Sequence, residues 1–101
     1  KENFYHGILL GLLGHMGWKL KSNVEAGDGY CDIIVEAEEE EIGIIIELKY
    51  AENARFDAAC REAMRQITCR HYEDILIDDG MNTVYRYGIA CYKKRCKVVV
   101  E

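Results

Sequence analysis

The sequence predicts an α/β (α+β) domain, with a mixed central sheet of about five strands flanked by helices. Three observations predict it. The periodic segments follow the order helix, three strands, helix, two strands, which suits helices packed on a mixed sheet. Half of the 101 residues are hydrophobic, enough for one packed core without metals or disulfides. No internal repeat or low-complexity segment interrupts the chain, apart from a run of four glutamates.

From Glu2 to Gly17 the pattern is an amphipathic helix, with Phe4, Ile8, Leu9, Leu12, Leu13 and Met16 at helical spacing. Gly7, Gly11 and Gly14 lie along one side. Each weakens a helix by about 1 kcal/mol relative to Ala, so close packing against another element is the expected reason for them. Trp18 to Glu25 fits a first strand, and Gly27-Asp28-Gly29 is a turn signal. Tyr30 to Ala37 and Ile42 to Tyr50 are strand-like runs around the polar tip Glu38–Glu41. Glu52 to Arg70 reads as a second helix, capped by Asn53 or Asp57 and buried through Phe56, Ala59, Cys60, Ala63, Met64 and Ile67. A short helical piece over residues 72–79 ends at Gly80. Thr83 to Tyr92 and Cys96 to Val100 are two further strands, joined by the basic turn Lys93-Lys94-Arg95.

Glu47 and Lys49 are charges inside a segment that otherwise reads as a buried strand, Ile44-Ile45-Ile46-Glu47-Leu48-Lys49. Charges are almost never fully buried unless they are paired or bind a metal. If Ala37 pairs with Ile42 across the glutamate tip, the same register sets Asp32 opposite Glu47, with Cβ atoms about 5 Å apart. Two like charges so placed repel, and a divalent cation between them turns that repulsion into a binding site. Hard carboxylate oxygens suit Mg²⁺ or Mn²⁺, and the Leu48 carbonyl is a candidate third oxygen. Lys49 shares a face with Glu47, because strand residues alternate with period two. Carboxylates for a metal, plus a nearby cation, are what phosphodiester hydrolysis requires.

The net charge of −5 argues against a free-standing nonspecific nucleic-acid binder. Base is concentrated locally, at Arg61, Arg65 and Arg70 on the second helix and at Lys93, Lys94, Arg95 and Lys97, and a local basic surface can coexist with an acidic total. Five cysteines without framework spacing read as buried reduced thiols in a cytoplasmic protein. They make no zinc site, since there is no CxxC and no His pair at ligand spacing. No signal peptide is visible, and Phe4 to Trp18 is short for a membrane span. The chain reads as a single domain over residues 1–101, cut from a longer protein.

The arrangement resembles the PD-(D/E)XK nuclease superfamily, in which an acid on one strand precedes Glu-x-Lys on the next and a helix follows. The resemblance rests on Gly-Asp-Gly-Tyr-Cys-Asp at 27–32, Ile-Glu-Leu-Lys at 46–49, Gln66, and Tyr-Gly-Ile-Ala-Cys-Tyr-Lys-Lys-Arg-Cys at 87–96. It is strongest to a bacterial subgroup in which the domain follows an AAA-ATPase-like domain. It implies a restriction-endonuclease-like core and Mg²⁺-dependent (or Mn²⁺-dependent) cleavage of nucleic acid, DNA before RNA. Asp32, Glu47, Lys49 and Gln66 would be catalytic, with the metal on Asp32, Glu47 and Leu48. Glu2 or Glu25 would be an additional acid. The basic helix face itself, apart from the resemblance, makes Arg61 and Arg65 the candidate nucleic-acid contacts. Cys31 stands where a residue precedes the acid, and no Pro-Asp is present.

Other readings stay open. Lys49 can serve a structural salt-bridge cluster, although such clusters seldom stabilise over an apolar core. Gln66 can be a boundary residue and Glu2 a solvated one. The alternative function is a nuclease-like binding or regulatory module of an ATPase-linked protein, without catalysis. The third is a purely structural dimerisation domain, a homodimer that an exposed apolar face on the glycine-rich first helix would support.

Overall fold

A computed structural model describes residues 2–26, 29–69 and 72–101, with side chains described over 4–22, 32–68 and 72–101. Helix α1 (Glu2–Gly14) precedes the antiparallel strands β1 (Lys19–Ala26), β2 (Gly29–Ala37) and β3 (Ile42–Tyr50). After a 3-10 turn at Glu52–Ala54 come α2 (Phe56–Cys69), α3 (Glu73–Asp78) and the hairpin β4 (Thr83–Tyr92) and β5 (Arg95–Val100). The five strands lie in chain order in one sheet. Only β3 and β4 run parallel, because α2 and α3 carry the chain back to the starting edge between them. The sheet is therefore mixed, as expected.

Strand alternation sorts the core into two layers. Ile34 and Ile45 point to one face, where Met64, Ile67, Tyr72 and Leu76 of the α2–α3 region bury them. Ile33, Val35 and Ile46 point to the other, where Leu9, Leu10 and Leu13 of α1 pack with Trp18 and Leu20. Two glycines let the helices approach the sheet on the first face. A Cβ at Gly88 would stand 3.0 Å from Met64 Sδ and 3.2 Å from Ala63 Cβ, and one at Gly43 would stand 2.6 Å from Leu76 Cδ1.

Two expectations are corrected. The glycines of α1 do not mark a close helix contact, since a Cβ at Gly7, Gly11 or Gly14 would meet nothing within 4 Å. Phe4, Ile8, Leu12 and Met16 also face outward, between 48% and 67% exposed. The helix is apolar almost all round, so Leu9, Leu10 and Leu13 satisfy the sheet and the opposite side is left to solvent. The second helix starts later than its pattern suggested. Asn53 takes φ +58° and Ala54 φ +59°, so Asn53 lies inside a separate turn rather than capping α2, and Asp57 is already the second residue of the helix. The buried stripe holds: Cys60, Ala63, Met64 and Ile67 are in the core, flanked by Phe56 and Ala59.

Candidate active site

The β2–β3 ladder runs from Ala37↔Ile42 to Ile33↔Ile46, which is the register read from the glutamate tip. Asp32 and Glu47 follow directly beyond its last pair. Both point to the α2 face, because Asp32 alternates with Ile34 and Glu47 with Ile45. Asp32 Oδ2 accepts the Leu48 N–H at 2.7 Å. The carboxylate thus takes over a main-chain donor just past the end of the ladder, and this fixes its position beside Glu47. In a strand, N–H and C=O of one residue point to the same side. The Leu48 carbonyl is therefore directed toward β2 together with the N–H that Asp32 accepts, while the Leu48 side chain is buried on the other face.

Glu47 is only 4% exposed. Its neighbour on β4 is Gly88, and that of Lys49 is Ala90, so the strand beside the acidic pair carries almost no side-chain bulk. Lys49 is half-buried, two residues along the same face.

The flank of α2 that faces this group supplies Glu62 and Gln66. Arg65, hydrogen-bonded to Glu62 (Nε to Oε2, 2.9 Å), holds the Glu62 carboxyl below the usual carboxylate range, with smaller contributions from the Lys49 charge and a Gln66 hydrogen bond. Gln66 thus shares the Glu62 carboxylate with Arg65, and the Lys49 charge is near enough to act on it. Sequence reasoning missed Glu62. Its position four residues before Gln66, one helical turn away on the same flank, is the signal that could have found it.

Arg61 and Arg65 are placed differently. They line an open groove of about 580 Å³ between α2 and β5, with Asp57, Met64, Thr68, Val99 and Glu101. This groove lies on the side of α2 toward β5, and Arg65 reaches from it to Glu62. Glu2 opens α1 and Glu25 pairs with Tyr30 near the end of β1, but their side chains lie outside the described residues, as do Arg70 and His71.

At the other end of the same sheet face sits a second charged group. Glu36 is 2% exposed, 3.6 Å from Lys19 Nζ, and Asp79 is 3.5 Å from Lys21 Nζ. Burial, and then the neighbouring Asp79 carboxyl, push Glu36 above its usual range.

The family model for the PD-(D/E)XK nuclease superfamily matches residues 1–101. The chain belongs to the PD-(D/E)XK nuclease superfamily. No curated protein matches it. In this PD-(D/E)XK domain Asp32, Glu47 and Lys49 lie on one face at the end of the β2–β3 ladder. The superfamily implies a nuclease-type hydrolase whose substrate is nucleic acid. No group of three His, Cys, Asp or Glu side chains placed to hold a metal occurs among the described residues. A cation here would draw on two carboxylates, a main-chain carbonyl and water. That donor set fits Mg²⁺, which takes few protein ligands and keeps several waters. Among the described residues no helix is long and apolar enough to cross a membrane.

Proposed function

We propose that this domain hydrolyses phosphodiester bonds of nucleic acid, DNA before RNA, with Mg²⁺ or Mn²⁺ held by Asp32, Glu47 and the Leu48 carbonyl. The observation that carries the reading is the Asp32–Leu48 hydrogen bond. It turns a strand carboxylate toward Glu47 and toward the side on which the Leu48 carbonyl lies. When bound, the cation would neutralise phosphate charge and acidify a water.

The chain's own groups do the rest. Asp32 and Glu47 would hold the cation, and the Leu48 N–H keeps Asp32 turned toward that place. Lys49 supplies a cation where negative charge develops on that phosphate, a contribution that needs a preorganised donor. Glu62, paired with Arg65, holds negative charge on the α2 side of the group, and Gln66 offers an amide to the attacking water or to a phosphate oxygen. Gly88 and Ala90 leave the floor beneath them low. Arg61, in the groove toward β5, and Arg65, paired with Glu62, bind the nucleic-acid backbone beside the cut.

The test is cleavage of several nucleic acids by the full-length protein with Mg²⁺ or Mn²⁺, beside Lys49→Ala. Loss of one preorganised electrostatic contact costs about 10²–10³ in rate. The expected outcome is a loss of that size with metal-induced stabilisation retained. A parent protein that binds nucleic acid but cuts none, with Lys49→Ala unchanged from it, would instead establish a binding module without catalysis.

A further inference from the structure

Cys91 on β4 and Cys96 on β5 are direct cross-strand partners, one pair outward from Tyr92 and Arg95, which close the two-residue turn Lys93-Lys94. The closing pair of such a hairpin exchanges both hydrogen bonds, so the next pair out is the non-hydrogen-bonded kind. There the Cα atoms approach to about 4.5 Å and the side chains are closest. A disulfide tolerates Cα separations of about 4.4–6.8 Å. Both residues are free thiols, and their sulfurs are 2.7 Å apart. The S–S bond is about 2.04 Å long, so the sulfurs need to close by only about 0.7 Å, within reach of small side-chain rotations.

We propose that Cys91 and Cys96 are a reversible dithiol–disulfide site, oxidised by exchange with a small-molecule disulfide such as oxidised glutathione. The two thiols have separate tasks. Cys96 is exposed and Cys91 is buried, so Cys96 meets the reagent. The basic residues Lys93, Lys94 and Arg95 beside it attract an anionic disulfide. Cys96 loses its proton, and its sulfur attacks one sulfur of the reagent. The reagent's S–S bond breaks, and half of it leaves as a thiolate. Cys91 then gives its proton to water and attacks the Cys96 sulfur, expelling the second half as a thiolate. One S–S bond has formed and one has broken. The two cysteines have lost two electrons and two protons, and the reagent has become two thiols.

The Cys91 thiol is pushed up to about 12, first by burial and then by its contacts with Cys96. The mixed disulfide removes the Cys96 thiol and with it that second contribution, so Cys91 ionises more readily at the step where it must attack. Cys60 is the third thiol nearby. It is buried, and its Sγ is directed at the Gly88 and Lys97 carbonyls, not at the Cys91–Cys96 pair. Disulfides of this kind in reducing compartments are transient and redox-sensing.

The experiment treats the full chain with oxidised glutathione under native conditions and maps its tryptic peptides without reduction. Trypsin cuts after Lys93, Lys94 and Arg95, so the two cysteines stay together only if they are bonded. A linked Cys91–Cys96 peptide pair is expected, with two thiols lost per chain and both restored by dithiothreitol. Cys96→Ser should abolish the link, and Cys60→Ser should leave it intact. A stable glutathione adduct on Cys96 with no internal bond would overturn the proposal, as would a Cys60–Cys91 link or an unchanged thiol count.

Discussion

Replacing Asp32 separates its two tasks, one mechanical and one electrostatic. The Leu48 N–H that it accepts belongs to a residue only 3% exposed. Asp32→Ala leaves that donor without this acceptor. Hydrogen bonds to charged groups contribute about 1.5–3 kcal/mol, and each kcal/mol moves the midpoint of a domain this small by about 4–8 °C. The expected loss is therefore roughly 6–24 °C. Asp32→Asn retains an oxygen that can accept the same N–H. Neutral hydrogen bonds are about half as strong as charge-assisted ones, and removing the charge also relieves repulsion with Glu47. Asn should thus lose at most half of what Ala loses. Both variants should lose the rise in midpoint that Mn²⁺ confers on the parent, since a ligand stabilises only the state that binds it. Thermal unfolding of the three proteins, with and without Mn²⁺, is the assay. An Asn variant as unstable as Ala would refute the mechanical role. A Mn²⁺ shift that survives in Asn would place the cation elsewhere, with Glu38–Glu41 the next place to look.

Gly88→Ala and Gly43→Ala both force a methyl against a helix, and overpacking costs about 1–3 kcal/mol. Gly88→Ala displaces α2, which carries Gln66 and Glu62, so it should slow cleavage, whereas Gly43→Ala presses on Leu76 of α3 and should lower the midpoint alone; equal rates in the two variants would count against a site built on α2. Glu36, whose folded pKa is raised, binds its proton more tightly in the folded state, so its contribution to stability falls as pH rises from the ordinary carboxylate value toward the raised one. Glu36→Gln should accordingly raise the midpoint at pH 7 and not at pH 4, as read by a midpoint-against-pH series. Arg61→Ala should weaken nucleic-acid affinity and reduce the slope of log affinity against log salt by about 1, the signature of one lost phosphate contact.

The strands were legible almost residue by residue, because period-two burial, glycine punctuation and the glutamate tip all mark the same boundaries. That tip also set the β2–β3 register, and hence the shared face of Asp32, Glu47 and Lys49. The helices were less legible for different reasons. In α1 apolar residues encircle the axis, so periodicity could not choose between Leu9, Leu10 and Leu13 and the row Phe4, Ile8, Leu12. At the start of α2 the left-handed backbone of Asn53 and Ala54 leaves no sequence mark, since neither is glycine. Glu62 was invisible because a glutamate on a helix flank resembles any solvated residue until the packing of α2 on the sheet is known. Arg61 and Arg65 could be placed on α2 but not on a flank of it, because that depends on how the helix sits over β4 and β5.

The parallel pairing of β3 with β4 divides the domain in time as well as in space. The first three strands pair antiparallel with their chain neighbours, whereas β3 and β4 meet only after residues 51–82 have closed a long loop around α2 and α3. Loop closure carries an entropy cost, and chains rich in non-local contacts fold more slowly. Asp32, Glu47 and Lys49 all belong to the locally closed part. A nascent chain that has emerged through Tyr50 already holds the acidic pair and its lysine, but not the helix that carries Glu62 and Gln66. Mutations in the β4–β5 hairpin should therefore act mainly on how fast the sheet is completed, while those around Asp32 act on a piece of structure that can form before it.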